Sequence, residues 1–410
     1  SSITEQARAP AKTEVPTAEE YIARVRALAP LFVAARDHEE DARELDPKLV
    51  AGMHAAGLFR MLLPRWLNGG ALDALSYTRV VEEIARFDAS AAWCVNQGSG
   101  CSMAAGYLDR ESAREIFRDP DGVLAWGPSP GAKAIATDGG YIVNYSGAFA
   151  SGSRHATWLG AHCLVHEADG SPRLGADKRP ELRAMLFPKS QAEIKDVWHV
   201  VGLRGTGSDS FVVKDLFVPA RHSFLRDDAA TRLDASPHYR YTSTMVYSSG
   251  FAHVALGIAR AVMDEFVALA THKTPRDYRN TLRESALVQA DVAQAEAKWT
   301  AARHYLRAVI GDAWREIDQG SSPTEPQRVA LRLASTHAIH AAKDVVDSLY
   351  DAAGANAIME AGPFERRFRD IHAVTQQLQG RKAHFETVGR YLLGLPLNLD
   401  RQLPLLPNRR

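Results

Sequence analysis

The chain has 410 residues, of which 46% are apolar and 24% are charged, so its composition is that of a globular protein with two or three core-forming units. Lysine plus arginine and aspartate plus glutamate both number 49, and this zero net charge argues against a nucleic-acid-binding protein. Only three cysteines occur, none in a CxxC pair, so we expect neither a disulfide scaffold nor a zinc site, and we expect a cytoplasmic protein. No apolar run reaches the ~18–20 residues that a membrane helix needs, so no membrane contact is expected.

The first 120 residues contain two kinds of segment. Residues 1–17 are polar and contain proline, which predicts a flexible N-terminus. Residues 18–120 are rich in helix-forming residues, and apolar residues recur at helical spacing over 78–87. We therefore predict an N-terminal helical domain over residues 18–120.

The middle of the chain has the pattern of short strands. In residues 121–230, β-branched and aromatic runs such as 141–143 and 211–213 alternate with turns rich in Gly, Pro, Asp and Ser. No helical pattern separates these runs, which disfavours a parallel, doubly wound sheet. The pattern predicts a central β domain, an antiparallel sheet or barrel.

Residues 231–410 are again helical in pattern. Apolar residues spaced four and three apart over 288–309 predict one long helix, and a second is predicted over about 326–353 with Gly354 as its stop. Small residues on both apolar faces favour close packing in a C-terminal four-helix bundle. The expected fold class is thus α+β and mostly α, with domains over 18–120, 121–230 and 231–410.

Two glycine-containing motifs resemble known catalytic or nucleotide-binding loops but lack their chemistry. GPSPG at 127–131 matches the pattern of a hydrolase nucleophile, yet Pro130 has no N–H for an oxyanion hole. GTGSDS at 205–210 lacks the third glycine of a dinucleotide loop and precedes a strand pattern. The chain also contains no Glu-x-x-His, which disfavours a di-iron bundle, and no metal is expected.

Three features taken together resemble the acyl-CoA dehydrogenase superfamily. They are the order of helices, β domain and bundle, the LRGTGS segment at 203–208 followed by DLFVP at 215–219, and RRFRD at 366–370. The resemblance implies an acyl-CoA dehydrogenase-like fold, a flavin between the β domain and the bundle, and a homotetramer. Acyl-CoA dehydrogenases usually carry a glutamate base soon after the Arg-Asp pair, but residues 371–379 contain no carboxylate.

Other segments resemble the flavin-dependent monooxygenases of this superfamily, the oxygenases of two-component systems. These segments are DASAAW at 88–93, SPG at 129–131, FASG at 149–152 with Trp158, and LLG at 392–394. The resemblance implies that a separate NAD(P)H flavin reductase supplies reduced FAD or FMN. The oxygenase then forms a C4a-hydroperoxyflavin with O₂ and hydroxylates an electron-rich aromatic small molecule.

The same resemblance assigns the site residues. Ser151 matches the hydroxyl that contacts the flavin N5, while Gln377 and Cys101 occupy positions where phenol-hydroxylating relatives carry histidines. We therefore take these three as the catalytic candidates. The cofactor-binding candidates are Trp93, Ser129, Ser151, Trp198, Arg204, Thr206, Ser208 and Arg276.

Neither Gln377 nor Cys101 is a suitable base for a phenol at neutral pH, so we expect a substrate that is already nucleophilic when neutral, such as an indole. Each tryptophan also suits an ordinary core, and Arg276 suits a solvated helix end. Two other functions stay open on the sequence: an acyl-CoA dehydrogenase or nitroalkane-oxidase-like flavoprotein, and a flavin-binding protein without catalysis.

Overall fold

The computed structural model describes residues 15–396, which contain eleven α-helices and eight β-strands. Most of the segment predicted to be flexible, residues 1–17, lies outside the described residues. Thr17, at its end, caps the first helix by accepting a hydrogen bond from the backbone N–H of Glu20.

Six helices make up the N-terminal part: α1 (Ala18–Ala27), α2 (Ala29–Ala42), α3 (Pro47–Ala55), α4 (Ala74–Phe87), α5 (Ala89–Ser102) and α6 (Arg110–Phe117). The helix predicted over 78–87 is α4, which starts earlier because Asp73 accepts from Ser76 N at 2.9 Å. Asp88 caps α5 in the same way, accepting from Ala91 N at 3.0 Å. Helix α5 is buried along nearly its whole length, so it belongs to the core of the molecule.

The β domain is one sheet of eight strands: β1 (Leu124–Trp126), β2 (Lys133–Thr137), β3 (Gly140–Ala150), β4 (Trp158–His166), β5 (Leu182–Pro188), β6 (Glu193–Lys195), β7 (Asp209–Pro219) and β8 (Ser223–Phe224). Its order is β6-β7-β3-β2-β4-β5-β8, and β1 pairs with β4. The sheet is mixed, because β4 runs parallel to both β1 and β2. The expectation of a purely antiparallel sheet was therefore too simple: after β3, residues 151–157 return the chain to the other side of β2, and turn signals in the sequence do not reveal such a crossover.

Five helices form the C-terminal part: α7 (Ser243–His272), α8 (Ala286–Asp318), α9 (Glu325–Ala353), α10 (Glu365–Gln376) and α11 (Ala383–Leu392). The two long helices predicted from periodicity are α8 and α9, and α9 ends at Gly354 with φ of 63°. Helices α7, α8 and α9 pack against one another, α10 packs on α7 and α9, and α11 packs on α9. The fold class predicted from the sequence is confirmed in its main features.

The three parts meet around helix α5. It packs against α7 of the bundle, against β1 of the sheet and against the turn over residues 204–206. Within residues 15–396, no helix is long and apolar enough to cross a membrane. The same residues contain no group of three His, Cys, Asp or Glu side chains arranged to hold a metal ion.

Candidate functional site

Four of the predicted site residues form one buried hydrogen-bonded chain between α5 and the sheet. The Nε1–H of Trp93 donates to Ser151 Oγ at 3.1 Å, and Ser151 Oγ lies 2.6 Å from Ser208 Oγ. Ser208 Oγ lies 2.7 Å from Thr206 Oγ1, and Thr206 donates to the carbonyl oxygen of Leu203 at 2.9 Å. We call this set, from Trp93 to Leu203, the hydroxyl chain.

The hydroxyl chain has a fixed direction. A carbonyl oxygen can only accept, so the hydroxyl of Thr206 donates its one proton to Leu203. The hydroxyl of Ser208 must then donate to Thr206, and that of Ser151 must donate to Ser208. An indole N–H can only donate, so Trp93 occupies one lone pair of Ser151. Ser151 therefore keeps one free lone pair and no free proton. It can accept a further hydrogen bond but cannot donate one.

Leu203, at the end of the hydroxyl chain, is hydrogen-bonded through both its carbonyl oxygen and its N–H. Its carbonyl oxygen also accepts from Trp198 Nε1 at 3.0 Å, which brings a fifth predicted residue to the chain. Its N–H donates to Asp370 Oδ1 at 2.7 Å. Leu203 adopts the left-handed conformation, with φ of 54°, which a side-chain-bearing residue takes at a cost. The bonds to Trp198 and Asp370 hold this turn in place.

A buried ionic cluster lies behind that turn. Arg366 forms ion pairs with Glu39 and with Asp88, and its Nε lies 3.9 Å from Asp370 Oδ2. Burial raises the pKa of Asp370 to about 6 and raises that of Glu39 well above its usual value, and Asp88 adds to both shifts. Gly205 fits against this cluster, since a Cβ there would stand 3.1 Å from Glu39 Oε2. The cluster ties α2, α5 and α10 to the turn.

The loop that carries Ser151 follows strand β3. Phe149 has φ of 60°, is exposed, and contacts the Trp198 ring edge-on at 6.1 Å between centroids. Gly152 has φ of 79°, and its N–H donates to the Thr206 carbonyl oxygen at 3.0 Å. The loop and the 203–208 turn are thus bonded to each other, which positions the hydroxyls of Ser151 and Ser208.

A second group of side chains lies between α5, α7 and the sheet; we call it the inner cluster. Cys101 Sγ lies 3.5 Å from Tyr247 OH, and Gln97 donates to the carbonyl oxygen of Trp126 at 2.9 Å. The Trp126 ring meets the ring of His162 edge-on at 4.8 Å between centroids. Burial raises the pKa of the Cys101 thiol to about 12, so this thiol is neutral at physiological pH.

The inner cluster was largely invisible to sequence reasoning, which singled out only Cys101. Phe251 connects the cluster to the hydroxyl chain, because its ring stacks on Trp93 at 3.8 Å and on Tyr247 at 6.1 Å between centroids. The one available signal was Gly100: a Cβ there would lie 2.2 Å from the Tyr247 ring, so the glycine permits the contact. Small residues on a buried helix such as α5 indicate a close neighbour but do not identify it.

The side chains of two other predicted residues, Arg204 and Ser129, are hydrogen-bonded to backbone groups. Arg204 donates from Nε and Nη2 to the Glu40 carbonyl oxygen, at 3.0 and 2.7 Å, and from Nη1 to that of Val200. Ser129 accepts from the backbone N–H of His162 at 3.1 Å. Both side chains thus bond to the protein backbone. Their predicted contacts with a flavin stay predictions.

The last two candidates lie in the C-terminal part. Gln377, at the end of α10, accepts through Oε1 from Gln379 N at 2.7 Å. Arg276 is exposed in the turn after α7. The structure does not join either of them to Ser151 or Cys101, and their roles also stay predictions.

The residues present fit a reduced flavin. Such a ring presents an N–H at N5, and the hydroxyl chain leaves Ser151 with a buried lone pair that can accept it. In the described part of the chain, no hydrogen bond of the hydroxyl chain or inner cluster side chains involves a carboxylate. The arrangement therefore suits a flavin, and within residues 15–396 no carboxylate is hydrogen-bonded to these side chains.

Comparison with known proteins gives the family. Residues 5–112 match the model of the acyl-CoA dehydrogenase N-terminal domain, and residues 249–379 match that of its C-terminal domain. An indole-3-acetate monooxygenase of Pseudomonas putida is 31% identical over 86% of this chain and 88% of its own length. The oxygenase component of an FADH₂-dependent resorcinol hydroxylase from Rhizobium is 26% identical over 91% and 94%.

Solved structures show the same fold. The HsaA monooxygenase of Mycobacterium tuberculosis superimposes with a TM-score of 0.85 and 24% identity, covering 94% of this chain and 100% of that one. XiaF from Streptomyces, solved with FADH₂ and glycerol, superimposes with a TM-score of 0.86 and 22% identity, covering 93% and 97%.

Proposed function

Because the chain belongs to the flavin-dependent monooxygenases of the acyl-CoA dehydrogenase superfamily, we propose that it is the oxygenase component of a two-component system that hydroxylates an indole-type aromatic molecule. It is an oxidoreductase that uses O₂ and a flavin reduced elsewhere. The observation that supports this best is the directed hydroxyl chain, in which Ser151 keeps one lone pair for a further hydrogen bond and bonds to no carboxylate.

A bound reduced flavin would supply, together with O₂, an electrophilic oxygen atom for the substrate. The residues of this chain position that group and protect it. Ser151 would accept the hydrogen at N5 and so hold that proton in place, whose loss would favour release of hydrogen peroxide. Trp93 and Phe251 form a stacked apolar wall that excludes water.

The substrate class follows from the bases that the site lacks. Burial keeps Cys101 protonated and raises the pKa of Tyr247 well above its usual range. Burial also lowers the pKa of His162, and Arg226 lowers it further, so this histidine is neutral. No side chain of the inner cluster is therefore a base suited to removing the proton of a phenol. The C3 carbon of an indole, by contrast, is nucleophilic without deprotonation.

The cofactor, assembly and location are part of the same proposal. The flavin is FADH₂ or FMNH₂, delivered by an NAD(P)H-dependent reductase, and the enzyme is a homotetramer in which Arg276 reaches a flavin phosphate of a neighbouring subunit. Its guanidinium is exposed, as that role requires. A cytoplasmic location is supported by Cys94, Cys101 and Cys163, which are all buried free thiols.

Turnover with supplied reduced flavin tests the proposal. We expect the protein, mixed with photoreduced FMN or FAD and then with air, to oxidise indole and to release less hydrogen peroxide when indole is present. 4-Hydroxyphenylacetate serves as the phenolic comparison and butyryl-CoA as the dehydrogenase substrate. Turnover of the phenol alone would overturn the substrate class, and reduction of bound oxidised flavin by butyryl-CoA would overturn the function.

A further inference from the structure

The direction of the hydroxyl chain depends on Thr206. Its hydroxyl lies 2.9 Å from the carbonyl oxygen of Leu203 and 2.7 Å from Ser208 Oγ. The carbonyl oxygen has no proton to give, so the hydroxyl of Thr206 donates to it and can only accept from Ser208. Trp93, at the other end, does not set this direction. A serine that accepts from an indole N–H, as Ser151 does, can still either donate to Ser208 or accept from it.

Among the described residues, the hydroxyl of Ser208 has two possible acceptors, the hydroxyls of Thr206 and Ser151. None of these three residues is more than 6% exposed, so water does not replace a lost partner. If residue 206 had no hydroxyl, Ser208 would donate to Ser151, whose oxygen lies 2.6 Å away. Ser151 would then accept from both Trp93 and Ser208, and its own proton would be free. The loss of one hydroxyl thus turns Ser151 from an acceptor into a donor.

These two arrangements suit different redox states of a flavin. Reduced flavin carries a hydrogen at N5 that it can donate, whereas oxidised flavin has a lone pair there that can only accept. With the hydroxyl of Thr206 present, Ser151 offers a lone pair, which suits the reduced form and opposes the lone pair of the oxidised form. Without that hydroxyl, Ser151 offers a proton, and the preference is reversed. The arrangement in this chain therefore favours the reduced form.

The backbone of Thr206 is held independently of its hydroxyl. Its N–H donates to the carbonyl oxygen of Leu203 at 3.2 Å, and its carbonyl oxygen accepts from Gly152 N at 3.0 Å. The indole N–H of Trp198 also donates to the Leu203 carbonyl oxygen, at 3.0 Å. Valine has nearly the same shape as threonine and makes the same backbone bonds. Its introduction therefore changes the direction of the hydroxyl protons and leaves the bonds that hold the turn.

We propose that Thr206 is a positioning residue that makes the site select reduced over oxidised flavin, acting through Ser208 and Ser151. This inference rests on the proposed function, since it takes Ser151 as the residue that meets the flavin N5. It adds the residue that determines which redox state is bound. A direct contact between Thr206 and the flavin is not needed for this role.

Equilibrium binding of both redox states tests the proposal without turnover. The protein is titrated with FMN and with FAD, each in its oxidised form and, under anaerobic conditions, in its photoreduced form. We expect the wild type to bind the reduced form at least about tenfold more tightly, because a hydrogen bond to one form replaces a repulsive contact with the other. For a two-electron couple, this factor raises the midpoint potential of the bound flavin about 30 mV above that of free flavin, which spectroelectrochemistry measures independently.

Thr206→Val removes the preference, so the ratio of the two dissociation constants falls by about tenfold or more. The midpoint potential of the bound flavin falls with it, whereas a merely structural role would weaken both redox states and leave the ratio unchanged. Thr206→Ser keeps the hydroxyl and retains the preference. Thr78→Val is the matched control, because Thr78 is also buried and its hydroxyl donates to the carbonyl oxygen of Ala74 at 2.8 Å, within α4. It leaves the ratio unchanged.

Ser208→Ala provides a second route to the same effect. It removes the acceptor of the Ser151 proton, so that Ser151 can either donate or accept, and the preference is again lost. Melting temperatures show that each variant is folded. The inference is overturned if Thr206→Val weakens both redox states equally or changes neither, or if Thr206→Ser behaves as Thr206→Val does. If the wild type hydroxylates indole but binds both redox states equally, the inference fails while the proposed function stands. If the folded protein binds flavin in neither state, both fail.

Discussion

Trp93 donates its indole N–H to the hydroxyl of Ser151 at 3.1 Å, and this bond joins helix α5 to the loop after strand β3. It also determines what Ser151 can do. With one lone pair taken by Trp93 and its proton given to Ser208, the serine can only accept a further bond. The helical domain and the sheet together thus determine that Ser151 Oγ, the atom that we propose contacts the flavin N5, accepts a hydrogen bond.

Removing the accepting hydroxyl uncouples oxygen use from hydroxylation. In Ser151→Ala we expect the yield of hydroxylated indole per flavin to fall about five- to tenfold, since a hydrogen bond contributes about 0.5–1.5 kcal/mol. Peroxide release rises correspondingly. The measurement is product by chromatography against peroxide by a peroxidase assay. Ser146→Ala, at an exposed position on strand β3 before that loop, is the control and keeps the wild-type ratio. An unchanged ratio in Ser151→Ala would contradict the assignment.

Breaking the chain at its middle destabilises the protein. Ser208→Ala removes the acceptor of the Ser151 proton and the donor to Thr206, both in a buried setting. We expect the free energy of unfolding to fall by about 1–3 kcal/mol, measured by urea denaturation. Ser210→Ala, two residues along on β7 and only half buried, is the matched control with a loss below about 0.5 kcal/mol. Equal losses in both variants would argue against a directed chain.

A methyl group between α5 and α7 disturbs the inner cluster. The Cβ of Gly100→Ala would lie 2.2 Å from the Tyr247 ring, so the ring or the helix must shift. Overpacking of this kind costs about 1–3 kcal/mol, and we expect that loss in urea denaturation together with weaker indole binding. Gly389→Ala in α11 meets no atom within 4 Å and gains the helix propensity of alanine, so its stability does not fall. Unaltered stability of Gly100→Ala would show that the contact is loose.

Asp370 makes stability depend on pH. Burial raises its folded pKa from 3.8 to about 6, against the opposing charges of Arg366 and Arg369 and with Asp88 adding to the rise. A raised folded pKa means that the native state binds the proton more readily, so its contribution is full below about pH 4 and is lost as pH rises through about 6. The unfolding free energy of wild type minus that of Asp370→Asn should therefore fall by about 2–3 kcal/mol from pH 4 to pH 7.

Denaturation series at four pH values check this sign. Asp138→Asn, at an exposed hairpin turn, controls for the loss of one carboxyl group. A difference between wild type and Asp370→Asn that instead grows with pH would mean that the ionised carboxylate is favoured in the fold. In that case the bond to the N–H of Leu203 and the attraction of Arg366 outweigh burial.

The sequence predicted those features that local patterns encode. The long helices α8 and α9 and the strand after residue 208 all follow from short-range chemistry. The resemblance also assigned Trp93, Ser151 and Ser208 to one site, and the structure joins these three side chains by hydrogen bonds. What it did not reveal was the direction of the hydrogen bonds, which depends on where the proton of Thr206 goes.

Contacts between distant segments could not be predicted in this way. The stacking of Phe251 on Trp93 joins residues 158 positions apart, and no local pattern pairs them. The guanidinium of Arg204 bonds to the carbonyl oxygen of Glu40 on α2, an acceptor that sequence patterns do not mark. Backbone carbonyls at helix ends are available to any nearby arginine, so such a contact becomes visible only in the fold. The predicted contact of Arg204 with a flavin stays a prediction.

Oxygen-isotope labelling tests the central claim most directly. Protein with reduced flavin and an indole substrate is mixed with ¹⁸O₂, and the product is analysed by mass spectrometry. The account predicts one ¹⁸O atom in each product molecule, with the second oxygen atom leaving in water. A product that carries no label, or an indole that stays unmodified while all the oxygen appears as peroxide, would contradict it.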